Sequence, residues 1–451
     1  MSQFQVGFAR VNITPPMGCP IGGYFLDRYV EGVLDELEAN AVAMELDGKR
    51  AVIITLDTCN ADAEAMDIFR AAVVEATGLD TSAIFIQSTH THVSASLMSG
   101  TVGINNKRDP DYMVYTTRQI AAAAVRAFAD LKPAKAGWAV GQAPNIGFIR
   151  RFRMKDGSIR TNPGIGNPNI VAPIGEVDER LNVVRFVREG GDEIVIGNYG
   201  CHPDTVGGSL VTCDWPGFAR RTLEAALPNV KCIFFNGAEG DVNHIKVDAK
   251  DGDMNGLTPS GFDDVGRGYE HAAHMGRVVA GGILQVYTKV NFVPVDELKF
   301  KELVIEIPSN MPKPEDLPQA RKFAELHNSG RDCDIPYEGM ALTTVVAESL
   351  RMLRLENGPA SFPLHLTALA FGPIVMIGIP GEPFTGIGTA LKAGSKYAMT
   401  MPCCLTNGSQ GYFPMQEAYD EGGYEARSSI FAAGVAERII DNGLKLINEM
   451  L

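Results

Sequence analysis

The chain carries eight histidines, at positions 90, 92, 202, 244, 271, 274, 327 and 365, so clustering stands out. The densest group is Ser88-Thr89-His90-Thr91-His92, directly after a short apolar run. Residues two apart on an extended chain share a side, so His90 and His92 are spaced to offer two imidazoles to one cation. The plainer alternative is a pair of partly exposed loop histidines. His202, in Asn198-Tyr199-Gly200-Cys201-His202-Pro203, also stands just past an apolar run, although a lone histidine before proline is by itself an ordinary structural residue. In the segment 234–244, Gly237 and Gly240 permit close backbone approach, and Glu239, Asp241 or Asn243 is placed to orient a ligand; a tight turn explains the glycines equally well. Glu382, between Gly381 and Pro383, reads either as a site carboxylate or as an acid stabilised at a helix N-terminus. Tyr412 lies in a Gly-rich segment, 407–414, with Tyr419 and Tyr424 downstream, and on spacing alone such aromatics pack on a lid.

The elements needed to position these groups are legible in outline. Residues 41–47 and 49–57 form a hairpin about Asp47-Gly48. Helical spacing follows over 60–77, with Gly78 as the stop, then a short buried strand over 83–88. Residues 109–131 open on Asp-Pro-Asp and carry a long helix to the Lys132-Pro133 break. A second hairpin joins 181–187 to 193–198. Asp214-Trp215-Pro216 reads as the cap and first turn of a helix, and 231–235 as a strand. The segment 248–268, rich in Gly, Asp, Ser and Thr, reads as a long ordered loop near a site or a mobile lid. Residues 364–381 form two buried strands around Gly372-Pro373 rather than a membrane span, and 428–451 one amphipathic helix. This order, with no fixed-period repeat and no clean linker, predicts an α/β fold: one large mixed-sheet domain over 1–451 with helices packed around it, and a site built from loops at strand C-terminal ends.

Composition narrows the function. With 45% hydrophobic and 21% charged residues, disordered, collagen-like and coiled-coil classes are excluded. A net charge of −14 argues against nucleic acid and against stable association with an anionic membrane. The N-terminus has no basic stretch followed by an apolar run, so the reading is cytoplasmic. The eight cysteines are too sparse for a disulfide framework and read as reduced core residues, with Cys19, Cys59 and Cys201 able to line a pocket. No phosphate loop, G-x-S-x-G elbow or H-E-x-x-H is present, and Gly164-Ile165-Gly166 lacks the third glycine of a dinucleotide fingerprint. A metallo-β-lactamase site wants Asp-His where Ser94 and Ala95 stand, and a TIM-barrel hydrolase wants its H-x-H on the first strand. His271 and His274, at i and i+3, read chiefly as helix-surface or supporting residues.

Taken together, VGFARVNITPP with Gly22-Gly23-Tyr24, then LDTCN, STHTH, CHP, GDVN, GEP and GYFP, in this order across most of the chain, resemble the catalytic domain of the neutral/alkaline (non-lysosomal) ceramidase family. Each motif is short; their order makes the match specific. The resemblance implies one Zn²⁺ held by His90, His202, Glu382 and Tyr412, with His92 as general base and acid. It further implies that Arg150, or its neighbour Arg151, and Tyr424 polarise the substrate carbonyl. The departures are informative too: Asn243 stands where the family carries serine, which excludes a serine nucleophile there. The family's secretory signal and C-terminal immunoglobulin-like domain are not expected either.

These readings predict a zinc-dependent hydrolase acting on an N-acyl amide, ester or lactone of a small molecule other than membrane ceramide, through a metal-activated water. A homo-oligomer is compatible with the sequence. The main alternative keeps the metal and drops hydrolysis, giving an isomerase, epimerase or lyase on a sugar or sugar acid; a silent binding protein on the same scaffold is the third reading.

Overall fold

The computed structural model describes residues 3–100, 107–248 and 268–451. Its larger sheet comprises β1 (Gln5–Asn12), β2 (Glu38–Leu46), β3 (Lys49–Leu56), β4 (Ile84–Ser88), β5 (Lys132–Gln142), β6 (Arg180–Arg188), β7 (Glu193–Tyr199), β8 (Val230–Asn236) and the short β9 (Asn291–Val293). They run in the order β8-β7-β6-β5-β1-β2-β3-β4, with β9 beside β5. Neighbours are antiparallel except β7 with β8 and β3 with β4, which are parallel. A second sheet orders β10 (Leu298–Pro308), β11 (Ser361–Phe371), β12 (Ile374–Gly378) and β13 (Met399–Cys403), its last pair parallel.

Local chemistry accounts for most of these elements. The β2–β3 hairpin turns on Asp47 and Gly48, both at positive φ (52° and 76°), as a two-residue turn matched to strand twist requires. Asp62 caps α1 (Ala63–Thr77) through the Ala65 amide, and Asp109 caps α2 (Pro110–Ala129), with proline in the first turn. Two expectations need correction. Asp214 begins α3 (Asp214–Ala226) at φ 51°, but its carboxylate binds the Thr205 and Val206 amides as well as that of Trp215, so it pins the loop after His202 instead of simply capping its own helix. The C-terminal helix is not continuous over 428–451: Phe431 is buried, Ala432 donates to Pro308 O, and the last helix spans only Val435–Asn448. The Gly-rich expectation at 248–268 falls almost wholly on residues outside those described. Among the described residues no helix is long and apolar enough to cross a membrane.

Period-two burial sorts the strands into four layers. One face of β2–β4 packs on α1 and α2 through Val52, Ile54, Phe69 and Ile120, and one face of β6–β8 packs on α3 and α4 (Tyr269–Tyr287) through Val183, Val195, Trp215 and Val279. The opposite faces, with Phe85, Phe186, Phe235 and Val42, meet Phe371, Met376 and Met401 of the second sheet. That sheet's far side is covered by α5 (Thr385–Gly394) and the C-terminal helix through Ile377, Leu391 and Ile439. The fold is mixed α/β, two sheets face to face with helices outside both.

The two ends of the large sheet are tied to each other. Gln87 of β4 donates through Nε2 to Asn236 O of β8 (2.7 Å) and to Cys404 O just past β13 (2.8 Å), while Asn236 N donates back to Gln87 Oε1 (3.0 Å). Asn407 N likewise donates to Ile86 O (2.8 Å). The C-terminal ends of β4, β8 and β13 are thereby held together, and every candidate site segment leaves from that junction or beside it.

Candidate metal centre

His90 lies two residues beyond β4 at φ 80°, so period-two alternation does not set its direction; a turn does. Its Nδ1 is 2.7 Å from Cys59 O. A carbonyl only accepts, so Nδ1 carries the proton and Nε2 faces inward. His202, beyond β7, repeats the device: its Nδ1 faces Glu239 O (2.9 Å) and Val242 O (3.1 Å). Both inward Nε2 atoms meet one carboxylate oxygen, Glu382 Oε2, at 3.5 Å from His90 and 3.0 Å from His202.

Backbone pairing explains why Glu382 and Tyr412, thirty residues apart in sequence, arrive together. The two-residue strand Glu382–Pro383 pairs in parallel with Tyr412–Phe413, with Glu382 and Tyr412 as direct partners. Tyr412 OH stands 3.5 Å from His202 Nε2, and its ring stacks on that imidazole. Gly240 is needed for packing here: a Cβ would lie 2.5 Å from Glu382 O. The Glu382 carboxylate faces the two histidines, while the first turn of α5 is held by Asp241, which accepts from the Thr385 amide and hydroxyl.

Glu239 completes the buried set. Its oxygens lie 3.9 Å from His90 Nε2 and 3.9 Å from His202 Nδ1, and they accept from Asn236 Nδ2 and Cys404 Sγ. Donor atoms of His90, His202, Glu239 and Glu382 all fall within 4.8 Å of one another, and a second such group joins Cys59, His90 and His92. Two imidazoles and carboxylate oxygens in this density are the donor types that Zn²⁺ accepts.

His92 Nε2 sits 3.2 Å from His90 Nε2, and its Nδ1 is 3.8 Å from Asp204 Oδ1, a carboxylate that the Tyr24 hydroxyl also engages. Arg150 donates to Glu425 Oε1 (2.7 Å) and Gly240 O (2.8 Å) and places Nη1 3.2 Å from His202 Nε2. Arg151 turns away to Glu421 (3.1 Å) and Gly422 O (2.9 Å), so Arg150 is the arginine at the cluster. Tyr424 reaches it too, its ring centroid 5.5 Å from that of Tyr412.

The electrostatics follow from burial and from these neighbours. Burial alone would lower His90, but Glu239 and Glu382 outweigh it and hold the imidazole well above its ordinary value. Burial works the other way on Glu382, where His90 and His202 prevail and keep it well below the usual carboxylate range. Burial depresses His92 well below 6.5, with Asp204 only partly offsetting it and His90 and His202 adding to it. Burial and Glu382 push Tyr412 up, against Arg150. His90 and Glu382 thus each favour the charged form of the other, a pairing that a proton or a metal ion between them completes.

Other expectations resolve plainly. Asn243 is spent elsewhere, donating to Asn162 Oδ1 of a distant segment and accepting from Ile245 N of its own loop. Cys59 lines the cleft, whereas Cys19 and Cys201 are packed in apolar clusters. His271 is buried with its ring 5.4 Å from His244, and His274 is half-buried; neither joins a ligand group among the described residues. Asp204, Glu425 and the site role of Tyr24 escaped the sequence reading. The first follows the Cys201-His202-Pro203 signature directly, a usable signal; Glu425 offered none.

A cleft of about 600 Å³ opens onto the cluster, lined by His90, His92, Glu382, Tyr412 and Tyr424 and reaching to Phe25, Leu350 and Phe362. Compared with known proteins, the chain matches no family profile and no curated sequence. Among solved structures it is similar to the neutral ceramidase from Pseudomonas aeruginosa, at 15% identity and TM-score 0.74, covering 100% of this chain and 75% of that one. A ceramidase complexed with C2 is similar at 14% identity and TM-score 0.70, with the same coverage. The chain has a neutral ceramidase-like fold.

Proposed function

We propose that residues 1–451 form a single catalytic unit, a zinc-dependent amidohydrolase of the ceramidase type, acting on an N-acyl amide, or an ester or lactone, of a small molecule. The observation that carries this reading is the pair of buried imidazoles, each with Nδ1 committed to a backbone carbonyl and Nε2 turned on Glu382. His90, His202, Glu382 and Tyr412 would hold the ion, with Glu239 directly behind them. Zinc at such a site lowers the pKa of bound water towards about 7 and polarises a carbonyl. His92, kept neutral by burial and facing Asp204, would move a proton between an attacking water and the leaving group. Arg150, fixed by Glu425 and Gly240 O, and Tyr424 offer donors to the oxygen that gains charge.

Support for hydrolysis over proton transfer within a sugar comes from the fold's similarity to ceramidases, since Asn243 takes no contact with the cluster. Membrane ceramide is not the expected substrate: a cleft of about 600 Å³ whose walls mix polar groups with Phe25, Leu350 and Phe362 suits a compact molecule. His90→Ala and His202→Ala should abolish bound zinc and amide hydrolysis together, with the two wild-type products summing to the substrate mass plus one water. Full activity in metal-free protein would overturn the proposal, and a product of unchanged mass would turn it to the isomerase reading.

A further inference from the structure

One wall of the cleft is the helix Gly339–Leu355, which presents Arg351 and Arg354 to the space beside Ala347, Leu350, Phe362 and Ile430. Two arginines in the cleft of a chain with net charge −14 call for an account. The cleft's acidic side chains do not answer them. Asp62 caps α1 and accepts from Ser99 N (2.6 Å), and Glu64 is held by Arg108 (2.8 Å). Glu348, on the same helix as the arginines, pairs with Arg427; burial lowers the Arg351 guanidinium and prevails, although Glu348 and Asp316 also act on it.

Arg351 is only 8% exposed, yet its bonds go to neutral acceptors: Nε donates to Arg427 O (2.8 Å) and Nη1 to Asn310 O (2.5 Å). Its Nη2 has no hydrogen-bond partner among the described residues. Arg354, exposed on the cleft wall, likewise has neither an ion pair nor a hydrogen bond among the described residues, and its guanidinium lies 5.9 Å from the Phe362 ring centroid. A buried guanidinium held in place by carbonyls, with one edge left over and a second cation one helical turn away, is a preorganised fork for an anion. The same Arg427 carbonyl belongs to the short helix Tyr424–Ser428, whose first residue packs on Tyr412, so the fork and the histidine cluster share one short support.

We infer that the substrate is anionic: a compact molecule whose carboxylate or phosphate is held by Arg351 and Arg354, its short apolar stem against Phe362 and Leu350, with the scissile amide towards His90 and Tyr412. This rests on the hydrolase reading for the position of the amide, but the anion site stands on its own residues.

The test is calorimetric binding of glutarate, its neutral diamide and inorganic phosphate to the full chain, alongside hydrolysis of an N-acyl amide series with and without a terminal carboxylate. Arg354→Gln should weaken glutarate at least about tenfold, as expected for loss of a charge-assisted bond, and leave the diamide unchanged. Arg351→Lys, whose parent holds backbone carbonyls, is the harsher variant and serves only as support. Preference for phosphate over glutarate would assign the anion as phosphoryl rather than carboxylate. Arginine-dependent anion binding without amide hydrolysis would uphold this inference and fail the hydrolase reading. Equal affinity for glutarate and the diamide, untouched by Arg354→Gln, would overturn the inference even if amides are cleaved.

Discussion

Replacing Gln87 by Ala tests whether the joined strand ends hold the site. Gln87 takes part in three buried hydrogen bonds, two donated to Asn236 O and Cys404 O and one accepted from Asn236 N. On truncation, Asn236 O keeps the Cys404 amide (3.2 Å) and Cys404 O keeps the Thr406 hydroxyl (3.1 Å). Asn236 N–H is left buried with nothing to accept it, at a cost of about 1–3 kcal/mol, and the two other bonds contribute about 1 kcal/mol each. With a small cavity added, the loss comes to about 4 kcal/mol. Gln87→Met, which keeps the volume, should lose about 3 kcal/mol. The assay is urea unfolding followed by circular dichroism and tryptophan fluorescence, with zinc content measured on the folded protein. Because β4 leads to His90 and β8 to Glu239, zinc affinity should fall at least about tenfold, as for loss of groups that support metal ligands. A destabilisation below about 1 kcal/mol with unchanged zinc binding would refute the reasoning.

Two further outcomes are expected. Arg150→Lys, which cannot keep its bonds to Glu425 and Gly240 O while facing His202, should lower kcat for the hydrolysed amide about a hundredfold with zinc content unchanged, whereas Arg151→Lys should leave kcat within about twofold. Asp214, raised by burial to about 6 despite the Val206 and Trp215 amides, contributes stability that is complete below its unfolded value near 3.8 and lost as pH rises through 6. Asp214→Asn should therefore gain on wild type by about 2 kcal/mol between pH 4 and pH 7, read from urea midpoints; a constant difference across that range would contradict it.

What the sequence revealed was local. Asp47-Gly48, Asp62 and Asp109 set their own turns and caps through neighbouring amides, and the alternation in 181–187 and 193–198 needs nothing beyond those residues. The histidines announced themselves by rarity and by following apolar runs. Three features lay beyond reach because their causes are long-range. Tyr412 acquires its place only through backbone pairing with Glu382, Glu425 only through the Arg150 guanidinium, and the second sheet only through the shared face of Phe85, Phe186 and Phe371. The expected common side for His90 and His92 was reached by a turn at positive φ, a conformation that strand periodicity does not encode.

The central claim is that His90, His202, Glu382 and Tyr412 hold one zinc ion through nitrogen and oxygen alone. Zinc K-edge X-ray absorption on the reconstituted protein tests it directly. The account predicts one ion per chain with every ligand at about 2.0–2.2 Å. A sulfur shell at about 2.3 Å, which would move the ion to Cys59 with His90 and His92, or no stoichiometric zinc at all, would contradict it.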